Sequence, residues 1–133
     1  MILVDTSVIV AWLDPAHPDH SACIETLEYW AGEDRLAVSS VTYSEIAAGG
    51  RTREAVDVDL AMFERVDLDF EAAWRAGLAF SRVTPKKGER AVLPDFLIRG
   101  QASALGCRHL TNDRRRLSWF PEVQFLFPEN RNP

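Results

Sequence analysis

The sequence predicts an α/β fold, a three-layer α/β/α sandwich around a central, mostly parallel sheet, and three observations carry that reading. Met1-Ile2-Leu3-Val4 and Leu36-Ala37-Val38-Ser39 are continuous runs too short for helices, as expected of strands buried on both faces. The first stops at Asp5-Thr6-Ser7, where apolar residues resume at helical spacing, and the second leads into a helical pattern from Thr42 to Ala48. Repetition of strand then helix is the order of a parallel sheet covered on both faces. With 133 residues and 47% hydrophobic content, residues 1–133 suffice for a single domain with its own core.

The remaining elements follow in chain order. The first helix runs from Asp5-Thr6-Ser7 through Trp12 and Leu13 until Pro15 and Pro18 break it. A second covers about Asp19 to Trp30, with Ala22, Cys23, Leu27 and Trp30 facing inward. The paired glycines Gly49 and Gly50 end the third. Residues 53–64 carry a weaker helical pattern, Val66 and Leu68 alternate with Asp67 and Asp69 as a short strand, and Phe70 to Val83 returns to helix. Thr84 to Arg90 combine Pro, Gly and charge, as a surface loop does. Leu97, Ile98, Gln101, Ala102 and Leu105 keep a helical period that Gly106 ends. His109-Leu110-Thr111 and Val123 to Phe127 read as the last strands, and Pro128 to Pro133 as a frayed tail.

No stretch approaches the roughly 20 apolar residues that span a bilayer, and the first residues lack a secretory pattern. A soluble cytoplasmic protein without a membrane partner is expected. Cys23 and Cys107 stand in no metal-ligand spacing and read as reduced, inert thiols. The net charge of −5 excludes a uniformly basic nucleic-acid binder, yet the average hides a division. Residues 1–74 carry 4 basic and 15 acidic side chains, whereas residues 75–116 carry 10 basic and 3 acidic ones. One face can therefore meet a polyanion, or the charges can simply be solvated.

Four acids stand where this architecture places functional groups: Asp5 and Asp113 just after strands, Asp95 at a helix start and Glu45 inside a helix. Each also has a structural explanation. Asp5 and Asp95 suit N-caps, Asp113 suits a turn, and Thr42-Tyr43-Ser44-Glu45 fits a capping box. Structural roles do not explain why carboxylates recur at junctions that the fold brings together, and the joint pattern points to a metal site. Carboxylates about 5 Å apart repel by roughly 3 kcal/mol at an effective dielectric near 20. A hard divalent ion, Mg²⁺ or Mn²⁺, relieves that repulsion and can promote phosphodiester hydrolysis without a histidine.

Met-Ile-Leu-Val-Asp5-Thr6-Ser7-Val-Ile-Val, Val41-Thr42-Tyr43-Ser44-Glu45-Ile46, Leu93-Pro94-Asp95-Phe96-Leu97-Ile98 and Leu110-Thr111-Asn112-Asp113 resemble, in order and spacing, the successive acidic motifs of PIN-domain nucleases. The pattern is nearest to the VapC-like ribonuclease toxins of VapBC-type toxin-antitoxin systems. The resemblance implies a Mg²⁺- or Mn²⁺-dependent endoribonuclease acting on RNA, a homodimer, and a VapB-like antitoxin whose tail occupies the active-site groove. It makes Asp5, Asp95 and Asp113 metal ligands, directly or through water, and gives Glu45 the task of holding or deprotonating a metal-bound water. Thr6 or Ser7, with Thr111, would orient these acids. One residue departs from the pattern: Arg99 stands where the family usually places a small residue, so it either pairs with an acid or binds RNA phosphate.

Other signals are softer. Lys86, Lys87 and Arg90 in one loop, and Arg114, Arg115 and Arg116 beside Asp113, can grip phosphates or form a solvated face. His17 and His20 are three apart but flank Pro18 with no third ligand nearby, and they read as surface or helix-start residues; His109 reads as structural. Trp12, Trp30, Trp74 and Trp119 read as core or interface anchors. A rival function is a receiver-like, Mg²⁺-binding signalling module, which needs a late lysine; none follows Lys87, although seven residues from Arg90 onward are arginine. A catalytically silent PIN-like scaffold is the other alternative, and retention of all four acids weighs against it.

Overall fold

A computed structural model describes residues 1–83 and 93–129. The strands are β1 (Ile2–Val4), β2 (Leu36–Ser39), β3 (Glu64–Val66), β4 (Arg108–Leu110) and β5 (Phe125–Leu126). The helices are α1 (Thr6–Leu13), α2 (His20–Glu33), α3 (Ser40–Ala47), α4 (Arg53–Asp59), α5 (Phe70–Ser81) and α6 (Pro94–Leu105), with a 3-10 turn at Leu117–Trp119. Every strand pairing is parallel, in the order β3-β2-β1-β4-β5. Ile2, Leu3 and Val4 are fully buried because β1 is the central strand, which explains its unbroken apolar run.

Alternation along β1 divides the core. Ile2 and Val4 pack with Val8, Ile9, Leu27, Trp30, Ile46 and Val56 of α1 to α4, and with Leu60 at the end of α4. Leu3 points the other way, to Ala76, Phe96, Ile98 and Ala102 of α5 and α6. The chain thus builds outward from β1 through β2 to β3, then returns to add β4 and β5 on the other side. The helices of these two halves cover opposite faces of the sheet, giving the three layers. The reversal occurs between β1 and β4, the topological switch point at which open parallel sheets bind ligands.

Several boundaries differ from the sequence expectations for identifiable reasons. Helix α3 begins at Ser40 because Ser39 is its cap, its hydroxyl accepting the Val41 N–H at 3.0 Å. Thr42 and Glu45 are therefore inside the helix, and the expected capping box does not form. Pro94 occupies the start of α6, so Asp95 lies in its first turn rather than at the cap. Helix α4 ends at Asp59, short of residue 64, and β3 begins earlier than the Val66 and Leu68 alternation suggested. Leu68 instead donates its N–H to Ser40 Oγ, and Asp69 caps α5 through Ala72 N.

Gly106 ends α6 in the left-handed conformation, φ 63°, as anticipated. Pro128 is not frayed: it is buried and its carbonyl accepts the Thr26 hydroxyl, while Glu129 pairs with Arg114. Trp30 is a core residue, whereas Trp74 is 64% exposed. The expected loop from Thr84 to Arg90 lies outside the described residues. Among the described residues no helix is long and apolar enough to cross a membrane.

Candidate active site

Asp5, Glu45, Asp95 and Asp113 line one cleft of about 360 Å³ at the carboxyl ends of β1 and β4. Thr6, Ser7, Val10, His17, Pro94, Ile98, Arg99 and Asn112 complete it. A larger cavity of about 560 Å³, between α5 and residues 118–122, contains none of the four acids.

Asp5 leaves β1 directly and caps α1, so its structural and site positions are the same one. Its Oδ2 accepts three hydrogen bonds: Ser7 Oγ at 2.5 Å, Ser7 N at 3.3 Å and Thr111 Oγ1 at 3.1 Å. Those donors fix the carboxylate and leave Oδ1 without a hydrogen-bond donor among the described residues. The two hydroxyls also tie down the loop after β4, because Ser7 Oγ accepts Asn112 N and Thr111 Oγ1 accepts Asp113 N, both at 3.0 Å.

A second hydroxyl chain serves Glu45. Thr6 Oγ1 donates to Glu45 Oε1 at 2.8 Å and, having spent its proton, accepts from the buried Thr42 hydroxyl at 2.9 Å. Thr6 and Ser7 are therefore not alternatives, since each orients a different acid. Solvent reaches Glu45 on one side, yet burial of the other is the main influence raising its pKa. The Thr6 hydrogen bond opposes this rise, and the charges of Asp5 and Asp95 add to it. Glu45 thus feels the negative charge of two other acids of the cleft, which a cation would relieve.

Asp113 experiences a different balance. Burial would raise its pKa, but Arg115 places Nε 3.0 Å from Oδ1 and Nη2 3.0 Å from Oδ2, and the carboxyl is held below its ordinary range. Arg116 Nη1 donates to Asp95 Oδ2 at 3.4 Å and lies over the Trp119 ring. Arg114 stacks on Phe127 and pairs with Glu129. The three consecutive arginines therefore take three different partners. Lys86, Lys87 and Arg90 lie outside the described residues.

Arg99 is the departure that the structure explains. It is only 7% exposed, donates to the carbonyls of Arg115 at 2.6 Å and Asp113 at 3.1 Å, and faces the Phe125 ring. It is a strut under the loop from Asp113 to Arg116. His109 sits behind Asp5, fully buried. Its Nδ1 donates to the Leu3 carbonyl at 2.9 Å, and Nε2 stands unpaired 3.8 Å from Asp5 Oδ1. Burial lowers its pKa against the pull of Asp5.

His17 and Asn112 also line the cleft, although neither stands out in the sequence as a site residue. His17 Nδ1 accepts Asp19 N at 3.0 Å, and Asn112 Nδ2 reaches Asp19 Oδ2 at 2.9 Å, which fastens the loop before α2 to the cleft wall. Asn112 stood inside a quoted motif, but nothing in the local pattern marked His17.

The residues present suit a hard divalent cation. The four carboxylates and their hydroxyl supports offer oxygen alone, and Asp5 Oδ1 is immobilised with no competing donor among the described residues. Among the described residues no three His, Cys, Asp or Glu side chains stand together at metal-binding spacing. The reason is visible in the pairings: Asp113 and Asp95 are turned onto arginines, and Glu45 onto Thr6.

A sequence model of the PIN domain family matches residues 2–126. The ribonuclease VapC26 of Mycobacterium tuberculosis is 34% identical over 65 residues, covering 49% of this chain and 47% of that protein, so the match spans about half of the relative's length. A chain of VapBC-1 from nontypeable Haemophilus influenzae has the same fold, with TM-score 0.75 and 18% identity over 98% of this chain and 100% of that one. A chain of VapBC2 from Rickettsia felis, bound to a promoter DNA fragment, has TM-score 0.72 and 21% identity over 96% and 98%.

Proposed function

We propose, because this chain belongs to the PIN domain family, that it is a Mg²⁺- or Mn²⁺-dependent endoribonuclease and the toxin of a type II toxin-antitoxin pair. The observation that carries this reading is the convergence of Asp5, Glu45, Asp95 and Asp113 on one cleft at the switch point of the sheet. Likeness to a ribonuclease and to chains of VapBC complexes supports it. The antitoxin would be a VapB-like protein, and the setting cytoplasmic. A homodimer belongs to the same reading and is measured by sedimentation.

Asp5, Asp95 and Asp113 would hold the ion. When bound, it supplies Lewis acidity to the phosphodiester and neutralises charge on the leaving oxygen. Ser7 and Thr111 keep Asp5 in one orientation, and Thr6 does the same for Glu45. Glu45 keeps Oε2 for the attacking water, and its raised pKa makes it a better proton acceptor than an ordinary carboxylate. Arg114 and Arg115, both exposed, are candidates to meet phosphates flanking the scissile bond, a task proposed also for Lys86, Lys87 and Arg90. Arg99, fixed beneath the loop, supports that surface rather than forming it.

Asp5→Asn tests the reading. Asparagine retains a capping oxygen for Ser7, so the melting temperature without metal should move by only a few degrees. Cleavage of RNA with Mg²⁺ or Mn²⁺ should fall by at least about a hundredfold. An unaltered rate would exclude the proposed centre.

A further inference from the structure

Both oxygens of Asp113 are taken by a cation that the chain itself provides. Arg115 grips them as a fork, with both contacts at 3.0 Å, and its backbone N–H adds a further contact to Oδ1 at 3.0 Å. Arg116 sits on Asp95, and Arg99 Nη2 stands 3.9 Å from Asp113 Oδ2. Arginine charge therefore offsets the carboxylate charge of the cleft.

We propose that Arg115 is the resident counter-ion of the cleft, holding Asp113 in a two-pronged pair that a divalent ion must open to use that carboxylate. The inference rests on the metal-dependent reading above and concerns how the site becomes competent, not which acids form it. A guanidinium and a divalent cation on the same carboxylate would crowd three positive charges together, so the two compete. Of the three arginines near the acids, Arg115 is the one whose side chain stands mostly in solvent. The Arg99 and Arg116 side chains are each 8% exposed, one locked by two carbonyls and a ring, the other laid over Trp119. The Arg115 side chain is 70% exposed, and an exposed pair of this kind opens at little cost.

The test is Mn²⁺ binding to the full chain, followed by electron paramagnetic resonance, for the wild type, Arg115→Gln and Arg115→Lys. Glutamine removes charge and fork, and binding should tighten by about fivefold, the weight of a well-formed exposed ion pair. Lysine retains the charge but cannot fork, so binding should tighten by a smaller factor. In the wild type, the Arg115 Nε–H resonance should be protected from exchange without metal and lose that protection as Mg²⁺ is added. Glutamine binding no tighter than wild type, or Nε–H protection that survives saturating Mg²⁺, overturns the proposal while leaving the metal site intact. Absence of Mn²⁺ binding by the wild type overturns both.

Discussion

Arg99 meets Asp113 through the main chain: Nη2 donates to the Asp113 carbonyl at 3.1 Å, while the nearer carboxylate oxygen, Oδ2, stands 3.9 Å away. A buried guanidinium thus does structural work at a position where the sequence left a choice between an acid partner and RNA phosphate. Its own pKa is lowered by burial, which the surrounding carboxylates oppose. The loop carrying Asp113 therefore depends on a residue from a different element.

Arg99→Ala should be costly. It leaves the carbonyls of Asp113 and Arg115 without their donor and opens a void beside Phe125, together worth about 2–4 kcal/mol. Chemical denaturation should show the loss, accompanied by weaker Mn²⁺ binding as Asp113 loosens. An unchanged denaturation midpoint would show that the strut carries no weight.

The layout of the sheet was legible because burial on both faces writes itself into Ile2-Leu3-Val4 as an unbroken apolar run, and Asp5 and Asp113 were legible because they follow strands. What local pattern cannot encode is partner choice. Glu45 had a plausible cap at Thr42, but Ser39 starts the helix and a hydroxyl 39 residues away in sequence takes the carboxylate. Arg114, Arg115 and Arg116 look alike in sequence and diverge because Phe127, Asp113 and Asp95 lie in different directions. His17 enters the cleft wall only through the path of its loop.

Gly100 sets how closely α5 and α6 approach. A Cβ there would lie 2.7 Å from Ala76 N and 2.8 Å from both Ala72 O and Ala76 Cβ, and backbone atoms cannot yield as a side-chain tip can. Gly100→Ala should destabilise by about 1–3 kcal/mol despite its better helix propensity. Because α6 also carries Asp95 and Arg99, Mn²⁺ binding should weaken with it. Gly77→Ala, with nothing among the described residues within 4 Å of the new Cβ, is the control and should stabilise by up to about 1 kcal/mol. Equal melting temperatures for the two variants would refute the packing argument.

Asp34 should make stability depend on acid. Oδ1 accepts the Met1 amino group and Arg35 N, and Oδ2 accepts Arg108, which together bring its pKa down to about 2. A carboxyl depressed in the folded state stabilises above its unfolded pKa, about 3.9, and loses that contribution as pH falls through the folded value. Asp34→Asn should therefore lower stability at pH 7 by roughly 1 kcal/mol after allowance for solvent screening. The gap from wild type should close between about pH 4 and pH 2. A gap of constant size across that range would assign the loss to packing rather than charge.

Thr6 offers the sharpest reading of Glu45. Its hydroxyl stabilises the ionised carboxyl and so restrains a pKa that burial, Asp5 and Asp95 all push upward. In Thr6→Val the shape is nearly kept but the restraint is gone, so the Glu45 pKa must climb further. If Glu45 accepts the proton of the attacking water, it is active only when ionised. The acid limb of the kcat/KM profile, measured with Mn²⁺, should then move to higher pH, because the ionised carboxyl has lost a hydrogen bond. Thr6→Ser keeps the donor and should return the limb to its wild-type position. A rate that falls equally at every pH would mean that Thr6 only holds the cleft in shape, because a packing defect has no reason to follow the ionisation of Glu45.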